Sequence, residues 1–393
     1  MTKTTLRAPA STTPVLGVRA LNRATLDRQL LLRRARGLSV KDAVTHLVGL
    51  QAQNVKPPYY ALAARLAEFD PGELSALLDS RELVRMVTLR STIHLHTADD
   101  ARSLRRLVQG ARERELSAFR NGLTGVDLSE LAGLARAAVE AEPRTMKQLR
   151  ETLLVRWPDA DPQALAVAAR CTLPLVQVTP RGLWRRGGQV ALTTLEQWLG
   201  DGPDSRSGAT PGVTLDDTVL RYLAAFGPAS VKDMQTWARL TRMREVFERL
   251  RPRLRTYRDE NGVELFDLPD APRPDADTPA PPRFLPEYDN LLLAHADRTR
   301  VVPAAYKGRT WKGNVPFSVF LLDGFLAGVW RLVEETKRGK GAEGGAAVLT
   351  IEPFGKPSRA QRDELTREAE RTLRRIAETS SSYDIRFGAV IDA

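Results

Sequence analysis

A short motif recurs three times, and this repetition constrains the fold more than any other feature of the sequence. It reads GLSVKDA at residues 37–43, PRTMKQL at 143–149 and PASVKDM at 228–234. A hydroxyl residue followed three positions later by Asp or Gln is typical of a helix start, because the two side chains satisfy free backbone N–H groups. The sequence therefore predicts capped helices after Ser39, Thr145 and Ser230.

The segments around each capped helix are also similar. Residues 22–36, 127–141 and 214–226 have helical periodicity and precede the three copies. A third helical segment and a β-favouring run come after copies two and three, and copy three contains Asn261-Gly262, a strong hairpin signal. Three helices with a trailing hairpin describe a winged helix. Generic helical domains with ordinary caps are the alternative.

Copy one departs from this plan after its second helix. Residues 57–69 restart as a helix at a proline pair, and Thr97 with Asp100 is expected to cap a later helix. Between them, residues 83–97 alternate like one strand. The apolar face of that strand carries Leu89, Ile93 and Leu95, and the polar face carries Arg90, Thr92, His94 and His96.

We therefore predict an α+β protein with three tandem winged-helix units and a small β-rich C-terminal domain. The expected segments are a disordered tail (1–16), winged helix 1 (17–126), winged helix 2 (127–212), winged helix 3 (213–270), a Pro-rich linker (271–283) and the C-terminal domain (284–393). A terminal helix over residues 359–379, and a last strand after it, are expected to close that domain.

Charge and composition narrow the class of partner. The net charge of +11 and pI near 10.0 favour a polyanion, with nucleic acid ahead of membrane or acidic protein, although a solvated basic surface is the alternative. Cys171 is the single cysteine and lies in an apolar run, so we expect a buried thiol and no disulfide framework. No third ligand accompanies His94 and His96, so no metal site is predicted. Without 18 consecutive apolar residues we expect no membrane span and a cytoplasmic, nucleoid-associated protein.

Common catalytic motifs are missing: there is no Gly-rich phosphate loop, no G-x-S-x-G elbow and no i, i+4 histidine pair. Basic and aromatic residues that cluster near turns are candidates for DNA contact, with solvated turns or core packing as the alternatives. They are Trp184, Arg185 and Arg186 at a predicted hairpin tip, Lys307, Arg309 and Lys312 in a Gly-punctuated loop, and His295 with Arg298 near a strand end.

Gln51 and Gln53 lie where the first capped helix is expected to end. If the helix continued, the two side chains would point about 200° apart. Gly49 and the prolines after the glutamines favour a break, and in extended geometry residues at i and i+2 point the same way. Two convergent amides can orient water and stabilise charge, but they cannot strongly deprotonate anything. Solvated loop residues are the alternative.

Several motifs together resemble one family. GLQAQ, LRSTIHLHTADD, PRGLWRRGGQV, LPEYDNLLLAHADR and LLDGFLAGVWR occur in the order found in winged-helix DNA glycosylases of the AlkZ/AlkX type, over roughly residues 17–390. The resemblance implies a C-shaped stack of winged helices around duplex DNA, and it matches the family's Gln-x-Gln signature to Gln51 and Gln53 rather than the Gln-x-Asp of a sister branch. It further implies hydrolysis of the N-glycosidic bond of N7-alkylated purines without a cofactor.

We therefore expect a monomeric, monofunctional glycosylase acting on double-stranded DNA that carries bulky N7-alkylguanine. Crosslink unhooking and self-resistance to a genotoxic natural product belong to the same expectation. Gln51 and Gln53 would be catalytic, and Arg90, His94 and the basic clusters above would contact DNA. Two non-enzymatic hypotheses remain at this stage. One is a winged-helix regulator or lesion binder, and the other is a protein that sequesters the genotoxin itself.

Overall fold

The computed structural model describes residues 13–200, 213–313, 315–334 and 345–389. Residues 13–126 start with a short strand and then combine helices with a hairpin. Their elements are β1 (Val15–Leu16), α1 (Val18–Arg28), α2 (Val40–His46), β2 (Leu50–Gln51), α3 (Pro57–Arg65), α4 (Pro71–Asp79), β3 (Leu83–Val87), β4 (Ile93–Thr97), α5 (Ala98–Leu107) and α6 (Gln109–Ser117).

The next two segments have the predicted order of three helices and a strand pair. Residues 127–200 form α7 (Leu128–Ala141), α8 (Met146–Arg156), α9 (Pro162–Thr172), β5 (Leu175–Gln177), β6 (Leu192–Thr194) and α10 (Leu195–Leu199). Residues 213–270 form α11 (Leu215–Phe226), α12 (Val231–Ala238), α13 (Met243–Leu250), β7 (Arg255–Asp259) and β8 (Glu264–Asp267). This element order agrees with winged helices, and the three-unit assignment itself stays a prediction.

The C-terminal part is built on an antiparallel sheet to which the last strand adds in parallel, in the order β15-β14-β13-β12-β9. Its elements are β9 (Arg283–Leu285), α14 (Asn290–Leu293), β10 (Trp311–Lys312), β11 (Val315–Pro316), β12 (Ser318–Leu322), β13 (Phe325–Glu334), β14 (Ala346–Pro353), α15 (Arg359–Ile376) and β15 (Ser382–Phe387). The predicted terminal helix and last strand are therefore both present.

The three predicted caps are confirmed. Ser39, Thr145 and Ser230 each accept a hydrogen bond from the backbone N–H three residues ahead. In copies two and three the side chain at that position also bonds back to the cap, which completes the capping box. The Asn261-Gly262 turn joins β7 to β8 as predicted, with Gly262 at φ 79°.

Two expectations need correction. Residues 83–97 form two strands, not one, because Arg90 and Ser91 adopt left-handed backbone angles (φ 53° and 60°) and turn the chain back. The disordered tail does not extend to residue 16, because Val15 and Leu16 pair in parallel with β7. The rest of that tail, residues 1–12, lies outside the described residues.

One antiparallel sheet joins the first two segments. Its strand order is β2-β4-β3-β5-β6, so the strand pair of copy two continues the hairpin of copy one. Leu47 and Leu50 pack into a core shared with α3 and α15, whereas Val48 packs against α11 and α12. The segment that carries the glutamines therefore crosses between two hydrophobic cores. Among the described residues, no helix is long and apolar enough to cross a membrane.

Candidate active site

The helix that precedes the glutamines ends before it reaches them. α2 stops at His46, Val48 and Gly49 take positive φ angles of 54° and 90°, and β2 begins at Leu50. The N–H of Ala52 continues the ladder by donating to the Ile93 carbonyl at 2.7 Å. The predicted helix break is confirmed: Gln51 ends β2, and Gln53 lies two residues later, where the chain begins to bend.

Only glycine fits at position 49. A Cβ there would lie 2.2 Å from His96 Nδ1 and 2.9 Å from the Leu95 carbonyl oxygen, and its φ is one that side chains disfavour. The Gly49 carbonyl accepts a hydrogen bond from the Asn290 amide at 2.7 Å. The backbone before the glutamines is thus fixed by both neighbouring strand β4 and the C-terminal part.

Gln51 is buried, with 6% of its surface exposed, and its amide orientation is set by Arg90. Nη2 of Arg90 donates to Oε1 of Gln51 at 2.8 Å. Because a guanidinium group has only donors, the atom facing it must be the amide oxygen, and the NH₂ group points elsewhere. Arg90 therefore determines which end of the Gln51 amide points away from the guanidinium group.

Arg90 is held from three sides. It donates to the Trp237 carbonyl at 2.7 Å, and Nη2 also lies 3.2 Å from Nε2 of His94. Burial and then the positive charge of Arg298 lower the pKa of Arg90 to about 10, so the group stays protonated at neutral pH. No carboxylate forms an ion pair with it among the described residues. Among the described residues, the site therefore contains a half-buried cation whose hydrogen-bond partners are neutral groups.

His94 and His96 lie behind this cation on one side of β4. Their rings stack at 5.5 Å, Nδ1 of His94 is 3.0 Å from the Thr92 carbonyl, and Nε2 of His96 is 2.8 Å from the Thr88 hydroxyl. Burial and the charge of Arg90 hold the pKa of His94 well below its usual range, and burial lowers the pKa of His96 to about 4. Both rings are neutral at physiological pH, and His94, 2% exposed, has no surface with which to contact DNA in this structure.

Gln53 differs from Gln51 in its exposure. Its side chain is open to solvent, and its Oε1 accepts a 3.3 Å hydrogen bond from the backbone N–H of Ile93. The carbonyl of Ala52 between the glutamines accepts from Nη2 of buried Arg85 at 2.8 Å. The pair thus combines a fixed buried amide with an exposed one, held by a common backbone.

Glu287 ties the glutamine segment to the C-terminal sheet. Its two carboxylate oxygens accept from the Asn54 amide and the Ser318 hydroxyl, both at 3.0 Å. Two residues later, buried Asp289 forms a bidentate ion pair with Arg65 at the end of α3. Together with Asn290, these residues explain the polar PEYDN stretch. Their roles were not predicted, although polar residues between two apolar runs were a usable signal.

The predicted hairpin tip in copy two is folded inward. The Trp184 ring packs on Tyr59 at 4.6 Å and its Nε1 donates to Glu378, while Arg185 pairs with Glu334 and Glu378. Only Arg186 of this cluster is exposed without an ion-pair partner in the described part of the chain. A local pattern could not show this, because the acidic partners lie more than 140 residues away in sequence.

The remaining candidates separate into buried and exposed groups. His295 is buried at 2% exposure and its Nε2 lies 3.0 Å from the Phe226 carbonyl, so the expectation that it contacts DNA is wrong for this structure. Arg298 is exposed and close enough to influence Arg90. Lys307, Arg309 and Lys312 belong to the segment before and within the β10–β11 hairpin, where Arg309 lies over the Phe354 ring at 4.4 Å.

The β10–β11 hairpin is connected to the glutamine segment indirectly, through Tyr288 and its neighbour Glu287. The Trp311 ring meets the Tyr288 ring edge-on at 5.5 Å, and Tyr288 comes directly after Glu287, which holds Asn54. Among the described residues, no group of three or more His, Cys, Asp or Glu side chains is placed to hold a metal ion. The groups that the structure places around the glutamine segment are amides, the Arg90 guanidinium, the Glu287 carboxylate and nearby basic side chains.

Comparisons with known proteins show the family of the chain. A family model described as "DNA glycosylase AlkZ-like" matches residues 44–375, which includes the glutamine segment and α15. The chain belongs to the AlkZ-like DNA glycosylase family. Membership favours the enzyme over both non-enzymatic hypotheses.

The structural similarity also extends over most of the chain. The structure is similar to that of the Streptomyces sahachiroi DNA glycosylase AlkZ, with a TM-score of 0.73 and 19% sequence identity over 95% of this chain and 100% of that one. At this identity the likeness shows a common fold. No curated protein matches the sequence.

Proposed function

We propose that this DNA glycosylase hydrolyses the N-glycosidic bond of bulky N7-alkylated guanine in duplex DNA, with Gln51 and Gln53 as the catalytic residues. The observation that carries the proposal is the clamped segment in which the Gln51 amide is buried and oriented by Arg90 while Gln53, two residues later, is exposed. Amides can assist cleavage of a bond whose leaving group already departs readily. N7 alkylation makes the base cationic, so it departs with little need for an acid.

The two amides have different roles in this proposal. The buried NH₂ group and remaining oxygen lone pair of Gln51 hold the attacking water, because Arg90 prevents the amide from rotating. The amide oxygen of Gln53 is less tightly engaged and directs its dipole toward the sugar, where positive charge develops in an oxocarbenium-like transition state. Arg90 acts as a positioning residue, since its contact is with Gln51.

The reaction is proposed to stop at the abasic site. A lyase step needs an amine nucleophile that is unprotonated. Lys56 is the nearest lysine along the chain, and its Nζ is engaged by Glu334 at 3.4 Å. Borohydride reduction during turnover is expected to trap no covalent protein–DNA adduct.

Duplex DNA is proposed to contact the exposed cations around the glutamine segment. Arg186, Arg298, Lys307 and Lys312 are exposed, and the Trp311 side chain beside them is 43% exposed. Lysine and arginine provide backbone contacts that fix position and orientation, and an exposed aromatic ring offers a surface for a displaced base. Crosslink unhooking would need the same chemistry on a guanine whose adduct extends to the other strand.

The decisive experiment replaces both glutamines. Gln51→Ala with Gln53→Ala is expected to abolish release of N7-alkylguanine from a damaged duplex, while the dissociation constant for that duplex stays within about twofold; a single transition-state contact of this type contributes about 10²–10³ in rate. The matched control is Gln163→Ala with Gln197→Ala, two exposed glutamines elsewhere in the chain. Full release by the first variant would refute the site assignment.

A second arm addresses substrate range. The same assay with a monoadduct duplex and an interstrand-crosslinked duplex, both based on N7 of guanine, measures the two activities separately. Release from the monoadduct alone would restrict the proposal to single-strand lesions.

A further inference from the structure

An arginine-lined cleft lies at the far end of α3 from the glutamines. It encloses about 590 Å³ and is lined by Arg33, Arg34, Arg36, Arg283 and Arg371, while its other lining residues are a leucine, two small apolar residues and no carboxylate within the described chain. α3 has nine residues, so the cleft is separated from the glutamine segment by roughly the 14 Å length of that helix.

The positive charge in this cleft is only partly compensated. Glu368 accepts from Arg34 and lies 3.9 Å from Arg283, and both of its contacts are on the buried side. Arg33 is 3.8 Å from Asp27 and largely exposed. Neither Arg36 nor Arg371 has an ion-pair partner within the described ranges. Among the described residues, the five guanidinium groups that line the cleft are therefore balanced by only two carboxylates, Glu368 and Asp27.

Arg283 indicates that the cleft is suited to an anion. Its side chain is almost completely buried, and its Nε has no hydrogen-bond partner among the described residues. Burial, and then the charge of Arg34, lowers the pKa of Arg283 to about 10. A buried donor without a partner destabilises the folded state, and an anion in the cleft would relieve the mutual repulsion of the arginines.

The positive surface continues along α15. Arg367, Arg371 and Arg374 are exposed at successive turns of this helix, and a second cleft that they line with Arg375 also contains the carboxylates of Asp70, Glu370 and Glu378. An elongated row of arginines matches a polymer of phosphates better than a single small anion. In the part of the chain that the structure describes, the first cleft also has no aromatic ring on which a nucleotide base could stack.

We propose that the arginine cleft binds a backbone phosphate of duplex DNA, as a contact additional to those around the glutamines. The ligand is a phosphodiester, recognised by charge and guanidinium geometry without regard to sequence. This inference rests on the protein's action on duplex DNA. It does not depend on which lesion is excised.

The test uses the full chain and an undamaged duplex of about three helical turns, with binding measured by fluorescence anisotropy over a range of salt concentrations. Arg36→Gln with Arg371→Gln removes two exposed, unpaired charges from the cleft. The slope of log affinity against log salt is expected to fall by about 0.9, because one phosphate contact is lost and each contact contributes about 0.9. Affinity at low salt should fall at least tenfold.

The matched control is Arg359→Gln with Arg386→Gln, which removes two exposed charges from the same part of the chain outside the cleft. An equal loss in the control would show that net charge alone matters and would overturn the proposal. An unchanged slope in the cleft variant would also overturn it. Thermal unfolding with tripolyphosphate would then show whether the cleft serves a small polyanion instead.

A readout of chemistry keeps this test separate from the proposed function. The rate of base release at saturating enzyme is expected to be unchanged in the cleft variant. Loss of release at saturation together with weak binding would place the arginines in the catalytic site and contradict their role as a remote contact.

Discussion

Two identical tetrapeptides, Ser-Val-Lys-Asp at residues 39–42 and 230–233, begin α2 and α12 in the same way, but the chain continues differently after each. After α2, Gly49 turns the chain into β2 and the glutamines. After α12, two left-handed arginines lead into α13. The local cap therefore fixes where a helix begins, while the residues at its far end decide whether a strand or another helix comes next. Leu240 occupies the position equivalent to Gly49.

The two regions also meet physically. Arg90, which orients Gln51, donates to the carbonyl of Trp237 near the end of α12. The copy in which a strand follows the capped helix thus carries the candidate chemistry, and the copy in which another helix follows supports Arg90, the residue that positions Gln51. Four perturbations of these two regions distinguish what each contributes to base release and to the stability of the fold.

The largest expected effect comes from Gly49→Ala. The added Cβ would clash with the His96 ring and the Leu95 carbonyl at a positive φ, so the glutamine segment must shift. We expect base release to fall more than 100-fold and the free energy of unfolding to fall by about 3 kcal/mol. Single-turnover release and urea unfolding measure the two losses.

Gly133→Ala, in the middle of α7, is the control for Gly49→Ala. Nothing lies within 4 Å of a Cβ at position 133, and alanine is the better helix former, so this variant should be slightly more stable and fully active. Full activity of Gly49→Ala would show that the segment has no fixed conformation.

Acid is expected to weaken both regions through their buried histidines. Burial lowers the pKa of His94, His96 and His295 below the 6.5 of the unfolded chain, His96 to about 4 and His295 to about 3. The unfolded state therefore binds more protons below pH 6.5, and stability is lost as the pH falls from 6.5. The slope is up to about 1.4 kcal/mol per pH unit for each histidine.

Urea unfolding at pH 7, 6 and 5 measures this slope. His96→Asn should reduce the acid loss, because it removes one of the three buried imidazoles. A slope that His96→Asn does not alter would contradict the assignment of a neutral buried His96.

Arg90→Lys tests how the second region supports the first. Lysine keeps the charge but has one donor group in place of a fork, so it cannot hold Gln51 and Trp237 together. We expect base release to slow about tenfold, with the dissociation constant for undamaged DNA unchanged within twofold. A matched control is Arg114→Lys, because Arg114 also donates to a carbonyl beyond α12, that of Arg239, at 3.3 Å. If both variants slowed base release equally, the contacts of Arg90 would have a structural role and no specific role in positioning Gln51.

The smallest effects are expected at the caps themselves. Ser230→Ala removes a buried, complete capping box whose Asp233 also accepts from the Ala296 N–H, and should destabilise by about 1–2 kcal/mol. Ser39→Ala removes an exposed cap and should destabilise by about 0.5–1 kcal/mol. Urea unfolding of both variants compares them, and a larger effect at Ser39 would reverse the comparison.

The range of the interactions decides which features could be predicted from the sequence. Caps, the Asn261-Gly262 hairpin and the helix break before Gln51 depend on neighbours within a few residues, and all were predicted correctly. The turn at Arg90 was missed because alternation of polar and apolar residues does not reveal two consecutive left-handed residues. The site's supports were missed for a different reason: the contacts of Asn290 and Glu287 bridge more than 200 residues.

The first helix has an implication for how the protein is made. The bonding partners of Arg28 in α1, Leu223 and Asp267, are synthesised 195 and 239 residues later. At ribosomal rates of about 5–20 residues per second, α1 waits roughly 10–50 s for them to emerge. The face that finally becomes buried includes Asn22, Arg23, Arg28 and Gln29, which water solvates well in the meantime. A helix whose partners emerge more than 190 residues later thus has a hidden side that is polar enough to stay solvated until they arrive.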